Sequence, residues 1–160
     1  TTSGVYYCVL LLAVFYYSAN VINLKAADDM QAPASYTAFR EGLKAADAVL
    51  FITPEYNRSV PGALKNAIDV GSRPYGKSVF SGKPAAVISA SPGALGGFGA
   101  NHHLRQSLVF LDMPILQQPE AYLGNAGTFF DASGKPSDGI EPFLKKFIAT
   151  FDAWIAKQAK

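Results

Sequence analysis

Four consecutive residues, Pro54-Glu55-Tyr56-Asn57, set a helix breaker, an acid, an aromatic ring and an amide side by side. Arg58 and Ser59 follow, and Pro61-Gly62 suits the first turn of a helix. Such a segment can meet a planar polar ligand, with the ring offering a face and the amide and backbone N–H groups offering edge hydrogen bonds. A plain strand-to-helix turn would carry the same residues without a ligand. The second candidate is Ser91–Gly99, SPGALGGFG, where glycine lets main chain come close to a bound group. GGFGAN does not match the G-x-G-x-x-G of dinucleotide sites, so the weight of this loop comes from its position after a buried strand.

Other reactive side chains carry less. His102 and His103 are adjacent, and on a helix neighbours point about 100° apart, which makes them poor joint metal ligands. A place near a bound ring at a helix start is the functional reading for either. Arg105 is the first strong cation after the glycine loop; it is either a solvated helix residue or a contact for a phosphate or a partner. Asp69 reads as a helix cap or a surface charge. Cys8 is the only cysteine and sits in an apolar run, so it reads as core, and no disulfide framework exists. A reduced, cytoplasmic setting is the expectation.

The elements that must position these loops follow from the apolar pattern. The 160 residues are 49% hydrophobic and 16% charged, which excludes disorder and predicts a single domain over 1–160. A net charge of +2 without a basic run argues against a nucleic-acid partner. Val5–Tyr17 is apolar but shorter than the roughly 20 residues that span a bilayer, and no basic segment precedes it; it reads as a buried strand rather than a membrane or signal segment. Strands are predicted at Val5–Leu12, Val21–Leu24, Ala48–Thr53 (stopped by Pro54) and Ala85–Ala90, with short candidates at Ile115–Leu116 and Ala121–Leu123. Helical spacing marks Tyr36–Ala46, the segment after Pro61, a helix capped by Asn101 with Leu104, Leu108 and Leu111 inward, and a last helix from Ile140 carrying Phe143, Phe147, Phe151, Trp154 and Ile155. Residues 125–138 read as loop. Strands apolar on both faces, alternating with helices, predict a parallel sheet in a three-layer α/β sandwich. Ligands of such sheets bind at the carboxyl ends of the strands, where both candidate loops fall.

The longer string TPEYNRSVPGALKNAID, Thr53–Asp69, resembles the NADPH-dependent FMN reductase family of flavodoxin-like quinone, chromate and azo-dye reductases. The resemblance continues through SRPYG, SGKPAAVISASPGALGG, HHLRQSLVFLDMP, QPEAYLG and FDASGK, and covers about Phe39 to the C-terminus. It implies a five-stranded parallel sheet of order 2-1-3-4-5 and an FMN-dependent NAD(P)H oxidoreductase. Flavin N5 would pass a hydride from NADPH or NADH to a quinone-like or other small acceptor, such as chromate, an azo dye or free flavin. It implies that Pro54, Glu55, Tyr56 and Asn57 line the flavin, joined by Ser91, Gly93, Gly96 and Gly97, where a side chain would hold the backbone off the ring. No side chain is then an indispensable acid or base, and Glu55 is structural. The family also forms dimers and tetramers, which nominates Arg105, Glu120 and Tyr56 as interface residues.

The chain departs from the family at its start. The expected phosphate loop, G-S-x-R-x-x-S-x-N after the first strand, is not recognisable; only Ser18 and Asn20 stand nearby. Leu12 and Val21 are separated by too few residues for a crossover between parallel strands, which takes about a dozen. That spacing reads as a join across a missing segment. A lost first helix, or Val5–Tyr17 running from strand into a short helix, are the other arrangements. Without a phosphate loop, a flavin-free interaction or regulatory scaffold is the competing function. A one-electron carrier fits less well, because such carriers are strongly acidic.

Overall fold

The computed structural model describes residues 7–11 as a strand and residues 33–158 in full. The Val21–Leu24 strand and the Ala13–Val21 spacing lie outside the described residues. Among the described residues, four parallel strands stand side by side in chain order: β1 (Tyr7–Leu11), β2 (Ala48–Pro54), β3 (Ala85–Ala90) and β4 (Ala121–Leu123). Between them run α1 (Ala34–Ala45), α2 (Gly62–Gly71) and α3 (Phe98–Phe110), and α4 (Glu141–Gln158) closes the chain.

The two central strands show why the sheet is buried on both sides. Side chains alternate across a strand, so Val49, Phe51, Ala85 and Val87 face one layer, where Leu43, Leu64, Ile68, Leu104 and Leu108 of α1, α2 and α3 complete the core. Ala48, Leu50, Ala86 and Ile88 face the other, against Phe147, Phe151 and Ile155 of α4. The predicted apolar stripe of the last helix is thus its sheet-facing side. Trp154 is partly buried, and its Nε1–H donates to the Pro114 carbonyl at 3.0 Å.

Local chemistry sets the helix ends. Arg40 donates to the carbonyls of Val70 and Gly71 at 3.1 and 2.9 Å, which satisfies the C-terminus of α2. Lys83 does the same for α1 through the carbonyls of Lys44 and Ala46. Asp69 pairs within α2 with Lys65 at 2.8 Å. At Gly71 the chain needs glycine for space: a Cβ would lie 2.6 Å from Cζ of the fully buried Phe80.

Three expectations are corrected. Pro54 does not stop β2 before its position but forms its last rung, opposite Ala90, where no N–H is needed further on. Ile115–Leu116 is not a strand; Ile115 makes one isolated bridge with Ala85. Asn101 does not cap α3. The helix begins earlier, behind Gly97 at φ 73°, and Asn101 lies fully buried inside it.

Candidate functional site

The carboxyl ends of β2, β3 and β4 each release a loop, and these loops meet the start of α3. The first is a tight hairpin. Tyr56 and Ser59 exchange both backbone hydrogen bonds, N–H to carbonyl, at 3.1 and 3.0 Å. Asn57 and Arg58, the two residues between them, take φ 50° and 63°. Positive φ at both central residues is the mark of the two-residue hairpin turn that matches strand twist. Tyr56 is left about half exposed.

Glu55 holds this hairpin against α3. Its Oε2 accepts the N–H of Ala100 at 3.0 Å, in the first turn of the helix, while Oε1 lies 3.4 Å from Arg58. A carboxylate there satisfies an unpaired N–H and meets the positive end of the helix dipole. The approach is close enough that a Cβ on Gly99 would sit 2.6 Å from the Arg58 carbonyl oxygen. His103 adds a second tie, Nδ1 to Ser59 Oγ at 3.0 Å. Glu55 thus occupies one of the first-turn N–H groups of α3.

The glycine loop is fastened to the end of β4. Ser91 N–H donates to the Leu123 carbonyl, Ala126 N–H to the Ser91 carbonyl, and Asn125 N–H to the Gly93 carbonyl, all between 3.0 and 3.2 Å. Gly96 and Gly97 are buried with φ 60° and 73°, and a Cβ on Gly96 would lie 2.5 Å from the Tyr122 carbonyl carbon. Main chain packed on main chain requires glycine at Gly96, while at Gly97 the left-handed backbone and the Cβ of Ser89, 3.0 Å from where a Cβ would lie, favour it. Gly93 differs: it is exposed, and nothing lies within 4 Å of where its Cβ would point.

Beneath the loop runs a buried polar chain that the sequence did not announce. Arg105 Nε donates to Asn101 Oδ1 at 2.9 Å, Asn101 Nδ2 to Ser89 Oγ at 3.1 Å, and Ser89 Oγ to the Gly96 carbonyl at 2.8 Å. Arg105 also reaches the Leu116 carbonyl at 3.1 Å, so its guanidinium is turned into the fold.

Beside it, Phe98, His102 and Tyr122 form an aromatic cluster with centroids 4.2 to 5.9 Å apart. His102 Nε2 and the Tyr122 hydroxyl are 2.9 Å apart. Burial, then the hydrogen bond to Glu120 and its charge, push the Tyr122 phenol up to about 12, against the opposing pull of Arg105. Which of the two donates is set by the tautomer of His102. Tyr122 is neutral below its ordinary value of 10.0, and the folded state loses its preference for that proton only as pH climbs from there to about 12. An ultraviolet tyrosinate titration should show a phenol with midpoint near 12 that disappears in Tyr122→Phe.

The structure therefore gathers Pro54, Glu55, Tyr56, Asn57, Ser91, Gly93, Gly96 and Gly97 at one end of the sheet. Of the three residues nominated for an interface, Glu120 is tied to Tyr122, Arg105 to Asn101, and Tyr56 makes no side-chain bond to either within the described residues. No three His, Cys, Asp or Glu side chains come together among the described residues, and no described helix is long and apolar enough to cross a membrane.

A half-exposed aromatic, an amide in a tight turn, and open main chain at Gly93 lie at this end of the sheet. Comparison with known proteins supplies the family. The family model for NADPH-dependent FMN reductase matches residues 11–128. A quinone reductase of Pseudomonas putida is 64% identical over 123 residues, 77% of this chain and 66% of that protein. A 2-hydroxy-1,4-benzoquinone reductase of a Burkholderia species is 42% identical over 79% of this chain and 70% of its own. The flavoenzyme NAD(P)H:(acceptor) oxidoreductase FerB of Paracoccus denitrificans superposes with a TM-score of 0.76 at 41% identity, covering 82% of this chain and 74% of that one. The chain thus spans about two thirds of the length of the Pseudomonas putida relative.

Proposed function

Because the chain belongs to the NADPH-dependent FMN reductase family, we propose that it is an FMN-dependent NAD(P)H oxidoreductase whose acceptors are quinones or similar small oxidants. The convergence of the hairpin and the glycine loop at the carboxyl ends of adjacent strands carries this reading. The chemistry FMN supplies when bound is two-electron transfer at its N5 between a nicotinamide and an acceptor.

The residues have divided tasks. Pro54–Asn57 and the main chain at Ser91 and Gly93 hold the ring edge. Glu55 fixes the hairpin on α3 and needs no proton-transfer role, since its carboxylate is committed to the Ala100 N–H. Gly96 seats the loop on Tyr122 of β4, and Gly97 seats it on Ser89 and Ala90 of β3.

The same reading makes the chain one flavodoxin-like unit with a five-stranded sheet of order 2-1-3-4-5. It is cytoplasmic and self-associates as a homodimer or homotetramer, with Tyr56, Arg105 and Glu120 at the contact. The similarity of the chain to quinone reductases and to a flavoenzyme oxidoreductase supports it.

The test is spectroscopic. The purified protein is expected to be yellow, to bleach anaerobically with NADPH and to regain its colour with a quinone. A colourless preparation that FMN cannot reconstitute would instead favour a flavin-free scaffold.

A further inference from the structure

We propose that Arg58 selects NADPH over NADH by pairing its guanidinium with the 2′-phosphate; this rests on the flavin oxidoreductase reading of the same site. The hairpin turn supplies the first observation. Its two central residues have positive φ, 50° at Asn57 and 63° at Arg58. Such turns favour Asn followed by Gly. Asparagine fits, but arginine at the second place sets its Cβ against a backbone carbonyl.

The fold gains little in return. The Arg58 side chain is 73% exposed, and its partner Glu55 Oε1 is 3.4 Å away. An exposed pair at that distance contributes little. Glu55 meanwhile has its stronger bond elsewhere, to the Ala100 N–H at 3.0 Å. Stability therefore does not account for arginine here, and a strained residue type at a site rim points to recognition.

The position suits an anion. Arg105, the other arginine of α3 and its loops, is turned inward to Asn101 and the Leu116 carbonyl. Arg58 instead keeps its charge largely in water, at the tip of the Tyr56–Ser59 hairpin. His103 stands beside it, tied to Ser59. On this proposal the adenosine end of the dinucleotide lies over the hairpin turn. A phosphate monoester there offers a dianion matched to the guanidinium fork, whereas NADH offers a hydroxyl. The pyrophosphate is common to both dinucleotides and gives no selection.

Arg58→Gly and Arg58→Lys in the full chain provide the test. Calorimetric titration compares adenosine 2′,5′-bisphosphate with adenosine 5′-diphosphate, and steady-state kinetics compares NADPH with NADH. In Arg58→Gly, binding of the 2′-phosphate ligand should weaken about tenfold relative to the diphosphate. The ratio of kcat/KM for NADPH to that for NADH should fall by about the same factor, and Arg58→Lys should restore part of it. Glycine suits the turn, so the thermal midpoint should hold or rise and flavin content should stay at the wild-type level. An unchanged ratio overturns the proposal, whether both constants fall together (a pyrophosphate contact) or neither does. A colourless wild-type protein would overturn the flavin reading instead, and the calorimetry would still decide whether Arg58 holds a 2′-phosphate.

Discussion

Replacing Asn101 by alanine is expected to lower the stability of the fold by about 3 kcal/mol, because it leaves several buried polar groups without partners at once. Asn101 is fully buried, and its amide is the middle of the chain from Arg105 through Ser89 to the Gly96 carbonyl. Alanine strands the Arg105 Nε–H and takes the donor from Ser89 Oγ. It also opens a cavity between α3 and β3. The damage should reach the candidate site, since Ser89 is what holds the Gly96 carbonyl at 2.8 Å. Asn101→Asp is the informative companion. It keeps the acceptor for Arg105 but turns the donor facing Ser89 Oγ into an acceptor, and so sets two lone pairs together. Denaturant unfolding should place both variants well below the wild type, and both should release FMN more readily than it does. If Asn101→Ala unfolded at the wild-type midpoint, the buried chain would have no part in holding the glycine loop.

This amide also marks where reading the sequence stops. Ala48–Thr53 and Ala85–Ala90 are legible because a strand buried on both faces must be apolar at every position. The last helix is legible because its aromatic spacing repeats with the helical turn. The hairpin and the glycine loop could be nominated because they follow such strands. Asn101 was misplaced because an asparagine ahead of an apolar helical stripe is the ordinary signature of a cap. Here Gly97, in the left-handed region, starts the helix one turn earlier. The demand for a buried amide comes from Ser89 and the β4 main chain, contacts that exist only once the sheet has formed. Tyr122 escaped for a related reason. Its strand is three residues long, and its role depends on His102, an adjacent helix residue twenty positions away in sequence. Glu55 was legible as structural, but that its carboxylate caps a helix 45 residues further on was not.

The glycine loop yields the other large effect, and it separates two reasons for a glycine. Gly96 has φ 60°, and a Cβ there would lie 2.5 Å from the Tyr122 carbonyl carbon and 2.8 Å from Gly124 N. These are backbone atoms, so no flexible side chain can swing aside. Gly96→Ala must either strain the turn or lift the loop off β4, at a combined cost of about 3 kcal/mol. Gly93 has open space in the direction of its Cβ, and its φ is not among the positive ones. Gly93→Ala should therefore leave the unfolding midpoint where it is. If the main chain at Gly93 borders the flavin ring, the added methyl meets the ring, and FMN affinity should still fall about tenfold, the equivalent of one lost close contact. The pair of variants thus gives opposite patterns: lost stability with secondary loss of flavin at Gly96, and lost flavin affinity without loss of stability at Gly93. Denaturant melts of the flavin-free chain, set against fluorescence titration with FMN, measure both. A Gly93→Ala chain that binds FMN as tightly as the wild type would move the ring away from this loop and leave the hairpin alone to hold it.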